Sequence, residues 1–339
     1  MHITPAIVDT RAPKSDSARR SGRLRSRLAV AVASAALGTA AAAAPAIAAT
    51  MPPDVSGNYA FQTMNNDHDP TFNQLLGIND NGKIVGYFGS GMAGHPNKGY
   101  RLLPPYGQGS YINENFPGSA QTQVTGLNNH GVTVGFWVNG QGANHGFYAV
   151  NGRHFRQVDF PTANNANPQV DQLLGVNDSD VAVGFYTDAQ GNNHGYSYSI
   201  ATHRFRPINV SGDTDVTAAA INDRGAVAGF AKNSAGTMEA FLKEPNGRLV
   251  RLNFSGASAT QAFGVNNGDE VVGQYTVGTG SNAATHGFVW APGLGFENVD
   301  DPNGIGATTI NGVNDRGDLV GFYTDSGGNT DRLLATPQG

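Results

Sequence analysis

The sequence predicts an all-β fold: a six-bladed β-propeller of four-stranded antiparallel blades, its ring closed by an N-terminal strand that completes the last blade. Three observations predict it. The first is a phrase that recurs six times: glycine or alanine, an aliphatic residue, an asparagine, a tight turn, and a glycine seven residues after the asparagine. The asparagines are Asn79, Asn128, Asn177, Asn222, Asn266 and Asn314, and the glycines Gly86, Gly135, Gly184, Gly229, Gly273 and Gly321. The second is the period. The first and sixth asparagines lie 235 residues apart, a mean spacing of 47, which accommodates four strands of about five or six residues and short connections. A β-helix coil would need far fewer. The third is the phase of the ends: the sixth repeat stops after its third strand, near Leu333–Pro337, while the chain opens with an unpartnered strand, Tyr59–Thr63.

Residues 1–48 read as a secretory signal rather than as part of the fold. A basic stretch (Arg19, Arg20, Arg23, Arg25, Arg27) runs into an alanine-rich apolar segment from Leu28 to Ile47, ending in the small-residue pattern Ala46-Ile47-Ala48. Export by the general secretory route is expected, with the twin-arginine route open at Arg19-Arg20. The destination, periplasm or medium, is open too. Without this segment, 14 basic and 24 acidic residues remain, a net charge of −10. Such a surface disfavours nucleic acid, which requires clustered cations. Cysteine is absent, which excludes disulfides and thiolate chemistry. No second apolar run could span a bilayer, so no membrane insertion is expected after signal cleavage. Residues 49–58 read as a linker and 59–337 as one domain, expected to be monomeric.

Within each repeat, short Val/Ile/Phe/Tyr/Thr runs alternate with Gly/Asn/Asp/Ser/Pro clusters and no helical periodicity appears. In the third repeat the strands are expected at Gln172–Val176, Ala182–Thr187, Gly195–Ile200 and Phe205–Val210. The asparagine opens the turn between the first two, its side chain accepting an amide two residues on. Gly82, Gly131, Gly225 and Gly317 supply a positive φ in that turn, and Asp180 and Asp269 stand in for glycine elsewhere. The glycine in strand two marks a close approach by another backbone or a ring. Aromatics follow it in most copies and are expected in the core between blades.

The loops joining strands two to three, and four to the next strand one, are long, irregular and on one face, where function usually resides. Two groups there invite chemistry. A histidine precedes strand three at His145, His194 and His286, replaced by Lys98, Glu239 and Asp331 in the other copies. A shared metal would need these imidazoles within about 2.1 Å of one ion, and blade spacing points instead to a repeated loop anchor. The second group is acidic: Asp67, Asp69, Asp171, Asp213, Asp215, Asp300 and Asp301. Facing carboxylates can hold Ca²⁺ or act as an acid/base pair on a sugar; solvated turn aspartates are the alternative. No other cofactor or metal is expected, and no nucleophile elbow, zinc-protease helix, P-loop or dinucleotide fingerprint is present.

Two phrases, Gly-Ile/Val-Asn-Asp-x-Gly-x-Ile/Leu-Val-Gly (Gly77–Gly86, Gly312–Gly321) and His-Gly-Phe (His145–Phe147, His286–Phe288), together resemble the bacterial HAF-type probable extracellular repeat family. The resemblance spans residues 59–337, with glycine for the family's alanine in most copies and the histidine lost in three. It implies export and a propeller-like repeat fold, and supplies no catalytic residues. The functional expectation is a non-catalytic binding module for a polysaccharide, cell-surface component or protein ligand. The alternative is a secreted lyase or hydrolase of sugars or lactones working through inter-blade aspartates and a histidine. A purely structural surface-layer role is a third possibility.

Overall fold

The structure, a computed structural model, describes residues 51–338. The expected signal over residues 1–48, and residues 49 and 50 of the expected linker, lie outside them. The chain runs β1 (Tyr59–Thr63), then repeat one as β2 (Asn73–Ile78), β3 (Ile84–Phe88), β4 (Lys98–Leu102) and β5 (Tyr111–Asn113). Repeat two comprises β6 (Gln121–Leu127), β7 (Val132–Val138), β8 (Asn144–Val150) and β9 (His154–Val158). Repeat three comprises β10 (Asp171–Val176), β11 (Val181–Thr187), β12 (Asn193–Ser199) and β13 (Arg204–Pro207). Repeat four follows as β14 (Thr214–Ile221), β15 (Val227–Lys232), β16 (Met238–Lys243) and β17 (Leu249–Leu252). Repeat five is β18 (Ala259–Val265), β19 (Val271–Val277), β20 (Ala284–Ala291) and β21 (Gly295–Asn298), and repeat six is β22 (Thr308–Val313), β23 (Leu319–Thr324) and β24 (Thr330–Pro337).

Repeats one, two and three each form a four-stranded antiparallel sheet in chain order. In repeat six the fourth place is filled by β1, which pairs with β24 from Tyr59–Pro337 to Thr63–Leu333. Repeats four and five depart from the expectation of separate sheets. A single parallel pair, Met238–Ala259, joins them into one eight-stranded sheet, because incoming β18 passes close to the start of β16. Residues 53–56, expected as linker, lie along repeat five: the Asn298 amide donates to Pro53 O, the Val55 amide to Asn298 O, and the Asp300 amide to Ser56 Oγ.

Strand one of every repeat touches strand one of the next, and β22 touches β2. Each of these strands carries a one-residue bulge, at Leu174 in repeat three. Ahead of it the Gln172 carbonyl leans onto strand two, where a Cβ on Gly184 would overlap it. The strand-two glycines of the other repeats meet the equivalent carbonyl. The close approach predicted from sequence is therefore backbone on backbone within one sheet, with a strand-three ring, such as Phe147 at Gly135 and Phe241 at Gly229, also closing on the glycine. The turn prediction holds as well: Gly82 has φ 70°, and Asp180 and Asp269 adopt 54° and 60°. Apolar side chains fill the spaces between sheets. Val134 and Tyr148 of repeat two pack with Leu173 and Tyr196 of repeat three, and Leu334 of repeat six packs with Leu75 and Tyr100 of repeat one.

The repeat asparagines do more than close turns. Asn79 Oδ1 accepts the amides of Asn81 and Lys83, at 3.1 and 2.9 Å, while its Nδ2 donates to the Asn128 carbonyl at 3.0 Å. Asn128 donates likewise to Asn177, Asn177 to Asn222, Asn222 to Asn266, Asn266 to Asn314, and Asn314 back to Asn79. A second cycle runs beside it. The amides of Asp80, Asn129, Asp178, Asp223, Asn267 and Asp315 each donate to the side-chain Oδ1 of the next in that order, ending on Asp80.

Two outcomes test this scaffold. Asn222→Ala removes a buried acceptor and a cross-repeat donor: it leaves the Ala226 amide without its acceptor and takes one donor each from the Asp269 carboxylate and the Asn266 carbonyl, which keeps the Asp269 amide; leaving a buried donor unpaired costs about 1–3 kcal/mol. Chemical denaturation should show a destabilisation in that range or above, and an unchanged midpoint would remove the cycle from the stability argument. Deleting residues 49–64 strips β1 from β24 and opens a strand edge. The truncated chain should aggregate or unfold with low cooperativity; a monomeric elution profile with an unchanged melting curve would show that β1 is dispensable.

Candidate ligand-binding face

Because strands alternate in direction, the two-to-three and four-to-one loops emerge on one face and the asparagine turns on the other. The three histidines sit on the long-loop face, each in the same environment. His145 Nδ1 lies 3.0 Å from Asp159 Oδ2, and its ring stacks on Trp137 at 4.8 Å. Trp137 in turn stacks on Phe116 from the preceding inter-repeat loop, at 4.5 Å. His194 pairs with Asp188 at 2.8 Å and stacks on Tyr186, which stacks on Phe160. His286 pairs with Asp300 at 2.7 Å and stacks on Tyr275, against Phe254. A loop aromatic, a strand-two aromatic, a histidine and a carboxylate thus form a repeated stack that pins the loops. In two of the three repeats that lack the histidine its place is still bonded: Glu239 pairs with Arg251 at 3.0 Å, and Asp331 accepts from Asn65 at 2.6 Å.

The acidic candidates are also anchored one by one. Asp69 is buried and accepts from the Thr71 amide and hydroxyl, with His95 Nδ1 at 2.8 Å. Burial acts to raise its carboxyl, but the bonds from Thr71 and His95 prevail and hold it below its ordinary value. Asp213 takes both Arg251 terminal nitrogens, at 2.7 and 3.0 Å, and Asp215 pairs with Lys232 at 3.0 Å while capping the Asn193 amide. Asp301 is buried and accepts the Asn303 amide; burial pushes its carboxyl up. Only Asp67 offers a carboxylate to solvent without such a partner among the described residues.

Asp171 corrects the sequence reading most sharply. It is not a loop carboxylate open to a ligand but a fully buried one at the start of β10, beneath Gly146. Oδ1 accepts the Tyr196 hydroxyl at 2.6 Å and Oδ2 the Phe160 amide at 2.7 Å. The position, six residues before the repeat asparagine, has one purpose in five repeats. Asn73, Thr122, Thr260 and Thr308 there accept the loop amides of Asn66, Phe116, Phe254 and Asp301. That role was missed, although polar residues recur in register at that position. His145, Asp159 and Asp171 share one junction, yet Asp171 has both oxygens occupied and no exposure. Of the remaining candidates, His286 shares its junction with Asp300 and Asp301, Asp213 shares one with Asp215, and Asp67 shares one with Asp69. Among the described residues no group of three or more His, Cys, Asp or Glu side chains is placed to hold a metal ion, and no helix is long and apolar enough to cross a membrane.

Burial pushes the Asp171 carboxyl up from 3.8 to about 8, with Asp159 adding to the rise and the Tyr196 and Phe160 bonds opposing it. The folded protein therefore keeps a proton that the unfolded chain releases above pH 4. Stability contributed by this proton is full at low pH and is lost as pH rises toward 8. Asp171→Asn cannot titrate, so its stability relative to wild type should improve between pH 5 and 8, by up to about 1.4 kcal/mol per pH unit. Parallel stability–pH curves for the two proteins would show that Asp171 stays ionised.

No family model and no curated protein matches this chain. Solved structures do. The putative TolB from Agrobacterium tumefaciens superposes with a TM-score of 0.51 at 13% identity, over 79% of this chain and 92% of that one. TolB from Acinetobacter baumannii gives 0.48 at 12% identity; 76% of this chain is covered but only 64% of that protein, less than two thirds of its length. A lectin mutant from Aleuria aurantia, in complex with Fucalpha1-6GlcNAc, gives 0.46 at 11% identity over 79% and 96%. At these identities the likeness is one of fold alone: an all-β, propeller-like arrangement of antiparallel sheets.

Proposed function

We propose that this chain is an exported six-bladed β-propeller of the HAF-type repeat class, closed by its N-terminal strand. In this reading it acts in the periplasm or outside the cell as a non-catalytic binding module for a glycan, a cell-surface component or a protein. The pairing of β1 with β24 and the return of the asparagine cycle from Asn314 to Asn79 support the closed ring. The basic–apolar leader supports export.

The observation that carries the non-catalytic reading is the closure of each histidine in its own stack. A hydrolase or lyase needs an acid and a base converging on one substrate position. Here His145, His194 and His286 hold three different carboxylates in three separate loops. The long-loop face instead offers irregular loops bearing exposed Met92 and Ile305, at 68% and 62% exposure, on a rigid scaffold.

Residues 49–339 applied to a glycan array and to extracted cell-surface fractions should show saturable binding. The bound ligand should raise the melting temperature and be recovered uncleaved. Met92→Asp combined with Ile305→Asp should abolish binding without lowering the melting temperature of the free protein. Cleavage of the bound glycan would overturn the non-catalytic reading, and undiminished binding by the double variant would overturn the long-loop site.

A further inference from the structure

A second surface lies on the outer rim between repeats one and two, toward the asparagine-turn side rather than the long loops. There Arg101 of β4, Ile112 and Asn113 of β5, and Asn151, Arg153 and His154 around the β8–β9 turn line a cleft of about 590 Å³. That size falls within the range of small-molecule sites. The connection is three residues long, and its first two lie at positive φ, Asn151 at 52° and Gly152 at 65°. Glycine is required at the second for space as well: a Cβ on Gly152 would run into the Arg101 guanidinium and the Glu114 carboxylate.

The floor of the cleft is built rather than incidental. Arg101 Nε lies 2.5 Å from Glu114 Oε2, whose side chain is entirely buried. The other Glu114 oxygen accepts the Thr133 hydroxyl, and the far end of Arg101 reaches the Asn151 carbonyl at 3.4 Å. The guanidinium is thereby fixed before any ligand arrives, so little side-chain freedom remains to be lost on binding. Above it Arg153 and His154 are exposed, and among the described residues neither forms an ion pair. No acidic side chain lines the cleft. In a chain whose residues after 48 carry a net charge of −10, a cleft lined by two arginines and a histidine stands against the prevailing charge.

We propose that this cleft binds an acidic sugar. Its carboxylate or sulfate lies on the guanidinium groups of Arg153 and Arg101, its hydroxyls on the amides of Asn113 and Asn151, and an apolar ring face on Ile112, itself 40% exposed. Guanidinium groups suit both anions because their paired donors match two oxygens at once. The site is independent of the long-loop reading; its turn triplet Asn151-Gly152-Arg153 recurs as Asn246-Gly247-Arg248 in repeat four, but the Arg101–Glu114 pair beneath it does not.

The test is titration of residues 49–339 by calorimetry with three probes: oligogalacturonate for carboxylate, a sulfated galactan oligosaccharide for sulfate, and a neutral galacto-oligosaccharide. At least one acidic probe should bind saturably, with affinity falling as salt rises, and the neutral probe should not bind comparably. Which acidic probe binds identifies the anion. Arg153→Glu, at an exposed position, should weaken that binding at least tenfold with an unchanged melting temperature, and His154→Ala by less. Met92→Asp with Ile305→Asp should leave it intact, which separates this site from the long-loop face. Absence of saturable binding by both acidic probes, equal binding of the neutral probe, or undiminished binding by Arg153→Glu would each overturn the proposal.

Discussion

One amide side chain per repeat holds this architecture in register. The repeat asparagine accepts amides of its own turn, two in five repeats and that of Ala226 alone at Asn222, and donates to the carbonyl of the next repeat's asparagine. Only a side chain with both an acceptor and a donor can do this; an ionised aspartate cannot donate. The residue after it needs only an acceptor for its neighbour's amide, and there aspartate and asparagine alternate freely: Asp80, Asn129, Asp178, Asp223, Asn267, Asp315. The two asparagines at this second position also donate to carboxylates on both sides, Asn129 to Asp80 and Asp178, Asn267 to Asp223 and Asp315. Four carboxylates gathered within a narrow mouth are thus each given hydrogen-bond donors, which tempers their mutual repulsion. Fixing the turns at this spacing brings adjacent first strands so close that a Cβ on Gly126 would press on the Leu174 carbonyl and Gly175 Cα. The glycine two residues before the asparagine follows from the same constraint.

Much of this was legible because it is local. A turn that needs a left-handed residue, a glycine where a carbonyl crosses, and a first strand with no partner in its own repeat all leave marks at fixed offsets. The cross-repeat half of the asparagine's role was not legible, since a turn asparagine and a cycle asparagine have the same neighbours in sequence. The carboxylate partners of the histidines were hidden for a different reason. Asp159 and Asp300 lie fourteen residues after His145 and His286, whereas Asp188 lies six before His194. The same pairing is reached from opposite loops, so no single spacing encodes it. Asp171 was misread because aspartate in a polar stretch suggests solvent, while its place in the repeat puts it under the neighbouring sheet.

The candidate site divides along the same line. Residues that recur, the histidines and most of the inter-repeat aspartates, are consumed in holding loops. Recurrence is a signature of scaffold in a repeat protein, since every copy faces the same mechanical problem. Recognition needs asymmetry, which only the unrepeated residues supply. Arg101 with Glu114 shows the difference: no other repeat sets an arginine on a fully buried glutamate beneath a neighbouring turn among the described residues.

Arg332 shows a second way in which the sixth repeat is tied to the first. The covalent link between them is the loop from β1, the fourth strand of the sixth sheet, to β2, and β24 adds non-covalent contacts across the same junction. Arg332 occupies the place of the glycine in the His-Gly-Phe triplet, where Gly146 and Gly287 are crowded by the strand-four carbonyls of Val158 and Val299. In repeat six the fourth strand is β1, and the fully buried guanidinium reaches across into repeat one. It donates to the Tyr111 hydroxyl at 2.8 Å and to Asn73, and lies over the rings of Tyr100 and Tyr111 at 4.6 and 5.0 Å. No carboxylate forms an ion pair with it among the described residues. A buried cation in that state is tolerable only while those two rings and the Asn73 carbonyl stay in place. Separation of β24 from the first repeat would therefore strip a buried charge of the groups that compensate it, which stiffens a junction that the β1–β2 loop also spans.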